Sequence, residues 1–169
     1  KFIMNKILLI SAILFSYSMA CGANDLLNKG QDYPDDLVAG VDAWSKGNYV
    51  LAHNLLQPLS ADGDAVAQYI IGLMYFRGKV VQKNYKKSIK FMQLSAEQGY
   101  FFAEHKLGSI YFSGLLGKPD YKKAIKWFRH ASKQGYAPSQ YFLATLYENG
   151  DGIQLDYIRA HMWFSLSAK

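Results

Sequence analysis

Cysteine, proline and long apolar runs are all scarce in this 169-residue chain, and each shortage excludes a class of protein. Cys21 is the only cysteine, so the chain forms no internal disulfide and no thiol-rich metal site. Four prolines are too few for a fibrous or linker-rich chain. The apolar run at residues 7–17 is too short to span a bilayer as a helix. Because half of the residues are hydrophobic, we expect packing alone to stabilise the fold.

The N-terminal segment, residues 1–23, has the pattern of a signal peptide. A short basic start at residues 4–6 precedes the apolar run, and small residues before Cys21 and at Ala23 offer cleavage sites. The four residues ending at Cys21 are also similar to a bacterial lipobox, although Ser18 stands where an aliphatic residue is usual. We therefore expect an exported bacterial protein that is periplasmic, anchored to the outer membrane by a lipid on Cys21, or secreted.

Residues recur at a spacing of 36 along almost the whole remaining chain, which indicates stacked structural repeats. The clearest columns are Tyr49, Tyr85, Tyr121 and Tyr157; Ala52, Ser88, Ala124 and Ala160; Gly63, Gly99 and Gly135; Gly72, Gly108 and Ala144; Phe91, Trp127 and Trp163. The period predicts a linker at 24–35 and a repeat domain at 36–169. Its units are 36–63, 64–99, 100–135 and 136–169.

Each period predicts two helices, A and B. Three A helices are expected at 65–76, 102–112 and 138–148, where apolar residues follow the i, i+4, i+7, i+8 spacing of a buried stripe. The recurring tyrosine and tryptophan columns are therefore expected in the core rather than on a platform for stacked bases. Each B helix has a side chain suited to an N-cap just before it, at Asn48, Asn84, Asp120 and Asp156.

Glycines inside the A helices point to close contacts between helices. Gly72 and Gly108 each cost ~1 kcal/mol relative to alanine in a helix, so a compensating close approach is expected there. Ala144 at the equivalent position keeps the small size.

These columns resemble the Sel-1-like repeats, a branch of the tetratricopeptide superfamily with units of about 36 residues. The resemblance rests on AEHKLGSIYFSG at residues 103–114, DYKKAIKWF at 120–128 and ASKQG at 131–135. It implies an all-α, right-handed solenoid that acts as a non-enzymatic adaptor and holds a protein or peptide segment in a concave groove. Two departures are Ala144 and the segment 115–117, where a Gly-x-Gly turn is usual. The first unit looks closer to a tetratricopeptide motif.

The positions of helix A that differ between units predict where the partner binds. They lie on one side of each helix because their spacing is i, i+4, i+7. In the resembled superhelices the A helices line the concave groove, so this strip is our predicted partner site; drift at unconstrained positions is the alternative. The nine residues are Tyr69, Leu73 and Phe76; His105, Ser109 and Phe112; Tyr141, Thr145 and Glu148.

The sequence offers no visible catalytic or metal-binding constellation. Some cysteine-rich relatives in the resembled family are described as β-lactamases, but Ser-x-x-Lys, Ser-Asp-Asn and Lys-Thr-Gly are all absent here. The four histidines lie on different predicted helices without a ligand at i+4. The glycines fall at helix ends rather than in a phosphate-binding loop. We therefore expect no enzyme, cofactor or metal, and keep a β-lactamase-like hydrolase as the alternative.

Charge and the C-terminus give two further predictions about partners. Residues 24–64 carry seven acidic and two basic side chains, whereas 65–169 carry fifteen basic and six acidic ones. Lysine stripes at 86–90 and 122–126 could bind phosphate or lipid headgroups, or could serve only to keep the protein soluble. We favour the second interpretation and expect no nucleic-acid partner. The last B helix lacks a glycine cap near Lys169. We expect the natural chain to continue, or this end to be covered by a partner or by self-association through the C-terminal repeat.

Overall fold

The computed structural model describes residues 23–27 and 30–169, and this part of the chain contains nine helices and no strand. Cys21 and the rest of the predicted signal sequence up to residue 22 lie outside the described residues. The helices are α1 (Ala23–Leu26), α2 (Asp35–Ser45), α3 (Tyr49–Ala61), α4 (Ala65–Arg77), α5 (Tyr85–Glu97), α6 (Phe101–Ser113), α7 (Tyr121–Lys133), α8 (Ala137–Asn149) and α9 (Tyr157–Ser167).

The eight longer helices form four consecutive hairpins that stack in chain order. Helices α2, α4, α6 and α8 are the A helices, and each packs on the B helix that follows it. Each B helix then packs on the next A helix, so α3 contacts α4, α5 contacts α6 and α7 contacts α8. Such nearest-neighbour packing defines a solenoid. The predicted all-α solenoid is confirmed.

Side-chain caps begin every B helix, as the sequence predicts. The side-chain oxygens of Asn48, Asn84, Asp120 and Asp156 accept from the backbone N–H three residues later, at N···O distances of 3.3, 2.9, 3.0 and 2.9 Å. Each cap satisfies an amide that the helix leaves free and contributes about 1 kcal/mol. The four hairpins therefore turn at equivalent positions.

Glycines in the A helices lie against their own B helices. A β-carbon at Gly108 would stand 2.6 Å from the ring of Phe128, and one at Gly72 would stand 3.0 Å from Cγ of Met92. Gly40 shows the same relationship to Leu56 at 2.5 Å. Since ordinary carbon contacts are longer than this, the missing side chain sets how closely the two helices of a unit approach.

The core follows the predicted stripes. Ala67, Ile71 and Met74 on α4 are completely buried, as are Leu143 and Leu146 on α8. One buried cluster extends from Leu26 to Ile110, and a second lies in the last two units; Tyr111 packs against both. The tyrosine column at 75, 111 and 147 is half-buried or buried, and the tryptophans at 127 and 163 are half-buried. These aromatic columns are therefore packing elements.

A glutamine at the end of a B helix ties neighbouring units together. Gln98 Nε2 donates to the Gly63 carbonyl oxygen at the end of the preceding unit, 2.9 Å away, and to Gln68 Oε1 on α4, also 2.9 Å away. The next unit repeats the arrangement with Gln134, and there the acceptor on the A helix is Glu104. These bonds hold the end of each B helix against its own A helix and against the last residue of the preceding unit.

No helix in the described part of the chain combines the length and the apolar character that crossing a bilayer requires.

Candidate functional site

The first position of the predicted strip packs against the next A helix. The Tyr69 ring on α4 meets Tyr100 edge-on, with centroids 5.3 Å apart, and stacks on Phe102 at 6.2 Å. Only 8% of Tyr69 is exposed. Tyr141 on α8 has Phe164 at 5.4 Å and remains 46% exposed. The same position is therefore an inter-unit contact in the second unit and a surface in the last.

The second position is mostly interior. Leu73 and Ser109 are each 5% exposed. Thr145 is half-buried, and its hydroxyl donates to the Tyr141 carbonyl oxygen at 3.2 Å. A partner that lies on this strip thus reaches Thr145 more readily than Leu73 or Ser109, and a binding role for the latter two stays a prediction.

The third position carries the accessible aromatic rings. Phe76 and Phe112 are half-buried, and each meets the first-turn tyrosine of its own B helix edge-on, at 5.4 Å for Tyr85 and 5.7 Å for Tyr121. Glu148 is exposed at the third equivalent position. Phe76 and Phe112 are held in fixed orientations but keep part of each ring open to solvent.

His105 contributes a neutral ring rather than a charge. Its Nδ1 lies 2.9 Å from Ser139 Oγ and its Nε2 lies 3.4 Å from Ser109 Oγ. The ring is enclosed by Tyr136 and Phe142, with centroids 5.1 and 5.8 Å away. Burial, and then the nearby Lys106 charge, lower the pKa of His105 to about 3. The imidazole is therefore neutral near neutral pH.

Lys106 is the unusual charge in this region. It occupies the position of Ile70, which is fully buried, and of Phe142 in the last unit. Its Nζ lies 4.4 Å from the Phe76 ring centroid, a cation–π contact. Burial, and then repulsion from Arg77, lower the pKa of the Lys106 amine to about 8. Among the described residues no carboxylate lies within ion-pair distance of this amine.

The segment before the repeats lies against the A helices. Leu26 in α1 is 4% exposed and belongs to the same buried cluster as Tyr69 and Leu73. The Tyr100 hydroxyl donates to the Leu26 carbonyl oxygen at 2.7 Å. Helix α1 also contacts α2, so it reaches from the first unit to the third. Part of the predicted linker is thus packed on the repeats, because two adjacent leucines supply apolar surface to bury.

Three aromatic residues at the start of α6 escaped the sequence prediction. Tyr100, Phe101 and Phe102 form ring contacts with one another and with Tyr136 and Tyr69. The equivalent residues at 64–66 are Asp-Ala-Val. The same comparison between units that selected the strip would have found them, had it been extended to the first turn of the helix.

The lysine stripes lie apart from this region. All six lysines at 86, 87, 90, 122, 123 and 126 are exposed. Lys87 Nζ lies 5.3 Å from the Tyr75 ring centroid, and Lys123 pairs with Asp120 at 3.0 Å. Lys87 and Lys123 are thus engaged within the chain. That the lysine stripes serve solubility rather than an anionic ligand stays a prediction.

The described residues contain no group of three or more histidine, cysteine, aspartate or glutamate side chains arranged to hold a metal ion. The strip itself consists of five rings, one leucine, two aliphatic hydroxyl side chains and one exposed carboxylate. Such an assembly binds by shape and aromatic contact, and it carries no activated nucleophile or paired acid and base.

Solved structures with the same fold include two bacterial repeat proteins. A Sel1 repeat protein from Oxalobacter formigenes shares 36% identity with a TM-score of 0.64, and the match covers 68% of this chain and 88% of that one. The c5321 protein, a protective antigen of uropathogenic Escherichia coli strains with an SLR fold, shares 32% identity with a TM-score of 0.68. That match covers 75% of this chain and 28% of c5321.

A comparison with curated proteins finds no match. The family model of the Sel1 repeat matches residues 65–100, 102–136 and 137–169. These three segments are the second to fourth helix hairpins and together make up more than half of the chain. With the capped B helices, the interior glycines and the stacked hairpins described above, they establish that this chain belongs to the Sel1 repeat family.

Proposed function

We propose that this protein is a non-enzymatic adaptor that holds a protein or peptide segment along the predicted strip of the A helices. Sel1 repeat proteins generally act as scaffolds for protein interactions. The observation that carries the proposal is the set of partly exposed rings on three successive A helices, with Phe76 and Phe112 at the third strip position and Tyr141 at the first. Rigid aromatic side chains provide contact area at low entropic cost and dominate binding at protein interfaces.

The hydrolase alternative has no observation in its favour. No Ser-x-x-Lys sequence is present, and Ser109, the serine of the strip, is buried and donates to the His105 carbonyl oxygen at 3.0 Å. The neighbouring imidazole has a pKa of about 3, which makes it a poor general base. A chromogenic β-lactam assay on pure protein provides the check, and turnover above background would restore this alternative.

We propose that the adaptor works outside the cytoplasm, in the bacterial envelope or after secretion. The basic start, apolar run and small residues of the N-terminal segment support export. Cys21 supports a lipid anchor. The related c5321 protein is a protective antigen, which is compatible with an exposed location. Fractionation of cells with and without Cys21→Ala, combined with labelling by a radioactive fatty acid, tests both the compartment and the anchor.

Site-specific photocrosslinking in the native cell tests the binding surface. A photoreactive phenylalanine analogue is placed singly at Phe76, Phe112 or Tyr141, and at Lys90 or Lys126 on the outer side of the B helices as matched controls. The adaptor proposal expects the same partner to be captured from the A-helix positions and not from the controls. Mass spectrometry then identifies the partner.

Two outcomes would contradict this proposal, provided that circular dichroism shows each variant to be folded. One is capture with equal efficiency from Lys90 or Lys126, which would place the interaction on the B helices. The other is unchanged partner binding by a variant in which Phe76, Phe112 and Tyr141 are all alanine.

A further inference from the structure

Helix α1 occupies the A-helix side of the repeats in the manner of a bound peptide. It contributes a buried leucine, Leu26, and a backbone carbonyl that accepts from Tyr100. The hydrogen bond joins α1 to the third unit, whereas α1 also contacts α2 of the first unit. Helix-in-groove recognition of peptides likewise buries apolar anchor residues of a helix against a hydrophobic surface.

The tyrosine that receives α1 is present in the third unit and, as Tyr136, in the fourth. Tyr100 is 6% exposed and is wedged between the rings of Tyr69 and Phe102, at centroid distances of 5.3 and 5.5 Å. The second unit has Asp64 at this position. The three rings orient the Tyr100 hydroxyl towards α1, so the hydroxyl is positioned before any ligand arrives.

A cation lies farther along the same pair of helices. Lys106 lies on α6, six residues after Tyr100. It contacts the ring of Phe76 on α4, and Phe76 lies seven residues after Tyr69. It stands where the other units bury Ile70 or Phe142, and no described carboxylate pairs with it. A half-buried amine that pairs with no described carboxylate favours a ligand that brings one.

We infer that residues 23–27 are a built-in ligand of the site around Tyr69 and Tyr100, that Phe76 and Lys106 continue this site along the same two helices, and that a partner enters it. The partner segment is a leucine-bearing helical turn with a neighbouring carboxylate. This inference rests on the proposed adaptor function. The chain's own segment supplies the leucine at residue 26, but none of its described carboxylates pairs with Lys106, so the carboxylate is a contact that the partner adds.

Because α1 of the same chain already occupies the site, a partner must bind strongly enough to displace α1. A short tether holds α1 near the site at an effective concentration in the millimolar range. A partner with the same contacts therefore competes poorly with α1 until α1 is weakened. Substitution of Leu26 removes the anchor and should open the site.

The test measures binding of a fluorescein-labelled synthetic peptide with the sequence of residues 23–34 to purified full-chain variants by fluorescence anisotropy. The Leu26→Asp protein is expected to bind it at least ~10-fold more tightly than the wild type. The Leu94→Asp protein is the matched control, because Leu94 is an exposed leucine on a B helix. It should behave as the wild type. A peptide carrying alanine in place of Leu26 should lose binding.

Two further variants in the Leu26→Asp background separate the contacts. Tyr100→Phe should weaken peptide binding about 5-fold, since it removes one hydrogen bond and keeps the ring. Lys106→Met should leave the affinity of this peptide unchanged, because its carboxylates do not pair with Lys106 in the folded chain. It should weaken binding of the partner identified by crosslinking and reduce the salt dependence of that binding. If Leu26→Asp disturbs the circular dichroism spectrum, Leu26→Ala replaces it, with Leu94→Ala as control.

Hydrogen exchange supplies a second readout. Amides of α4 and of the first turn of α6 should exchange faster in the Leu26 variant than in the wild type, and added peptide should restore their protection. Equal peptide affinity for wild type and variant, equal affinity of the two peptides, or no saturable binding up to millimolar peptide would each overturn the inference. If one of these results is obtained while a partner is still crosslinked at Phe112 or Tyr141, the inference fails and the adaptor function stands.

Discussion

Gln134 Nε2 donates to Glu104 Oε2 across 2.9 Å, in the place where the preceding unit pairs Gln98 with Gln68. Glu104 is only 3% exposed. Burial raises the pKa of its carboxyl to about 7, although the hydrogen bond from Gln134 lowers it. One unit therefore carries an ionisable group at a position where the units on either side carry the neutral amides Gln68 and Gln140.

Glu104→Gln is expected to stabilise the protein at alkaline pH. The folded-state pKa of about 7 exceeds the ordinary value of 4.5, so the native state binds more protons than the unfolded state between these pH values. The wild-type free energy of unfolding therefore falls as pH rises through this window and stays low above it. The variant should gain roughly 1 to 3 kcal/mol at pH 8 and little at pH 4. Urea unfolding at both pH values measures this; an equal difference at the two would contradict it.

His105 should give the opposite pH dependence. Its pKa falls from 6.5 to about 3 on folding, so the unfolded state binds more protons between these values, and stability is lost as pH drops below about 6.5. The loss approaches about 1.4 kcal/mol per pH unit. The two effects oppose each other between pH 4.5 and 6.5, so His105 is best measured in the Glu104→Gln background. Adding His105→Asn should flatten the slope seen in urea unfolding from pH 4.5 to 6.5. An unchanged slope would show that the histidine is protonated normally.

The interior glycines should respond unequally to alanine. At Gly108 the new methyl group would meet the Phe128 ring at 2.6 Å, and a packed ring yields little, so Gly108→Ala should cost about 1 to 3 kcal/mol. At Gly72 the nearest atom is in the flexible Met92 side chain at 3.0 Å, and better helix propensity offsets the crowding by about 1 kcal/mol. Denaturant unfolding should give a clearly higher free energy of unfolding for Gly72→Ala than for Gly108→Ala. Equal stability of the two variants would mean that Phe128 moves freely.

Self-association through the C-terminal repeat stays a prediction, and α9 offers a specific surface for it. Ile158 and Met162 are 85% and 45% exposed, where the two preceding units carry lysines. Wild-type protein is expected to show a concentration-dependent dimer by size-exclusion chromatography with light scattering. Ile158→Lys with Met162→Lys should reduce it. Val50→Lys is the matched control, since Val50 is 61% exposed at the position of Ile158 in the first unit. A wild-type protein that is monomeric at all concentrations would contradict self-association through the C-terminal repeat.

The sequence by itself determined the hairpins and their order. The capping residues at Asn84 and Asp120, the glycines at helix ends and the period of 36 act through bonds and dihedral angles within a few residues, so their consequences can be read locally. The contact at Gly108 was also predictable, because a glycine inside a helix requires a compensating neighbour. The strip could be located on one helix side by its spacing alone.

Only the tertiary structure decided which members of the strip are accessible. Tyr69 and Tyr141 occupy equivalent positions, yet the first is covered by Tyr100 and the second is half open, because burial depends on the unit that follows. The docking of Leu26 at Tyr100 joins residues 74 positions apart, and no local pattern specifies such a pair. Accessibility and long-range contacts arise from stacking between units, whereas helices and caps arise within them.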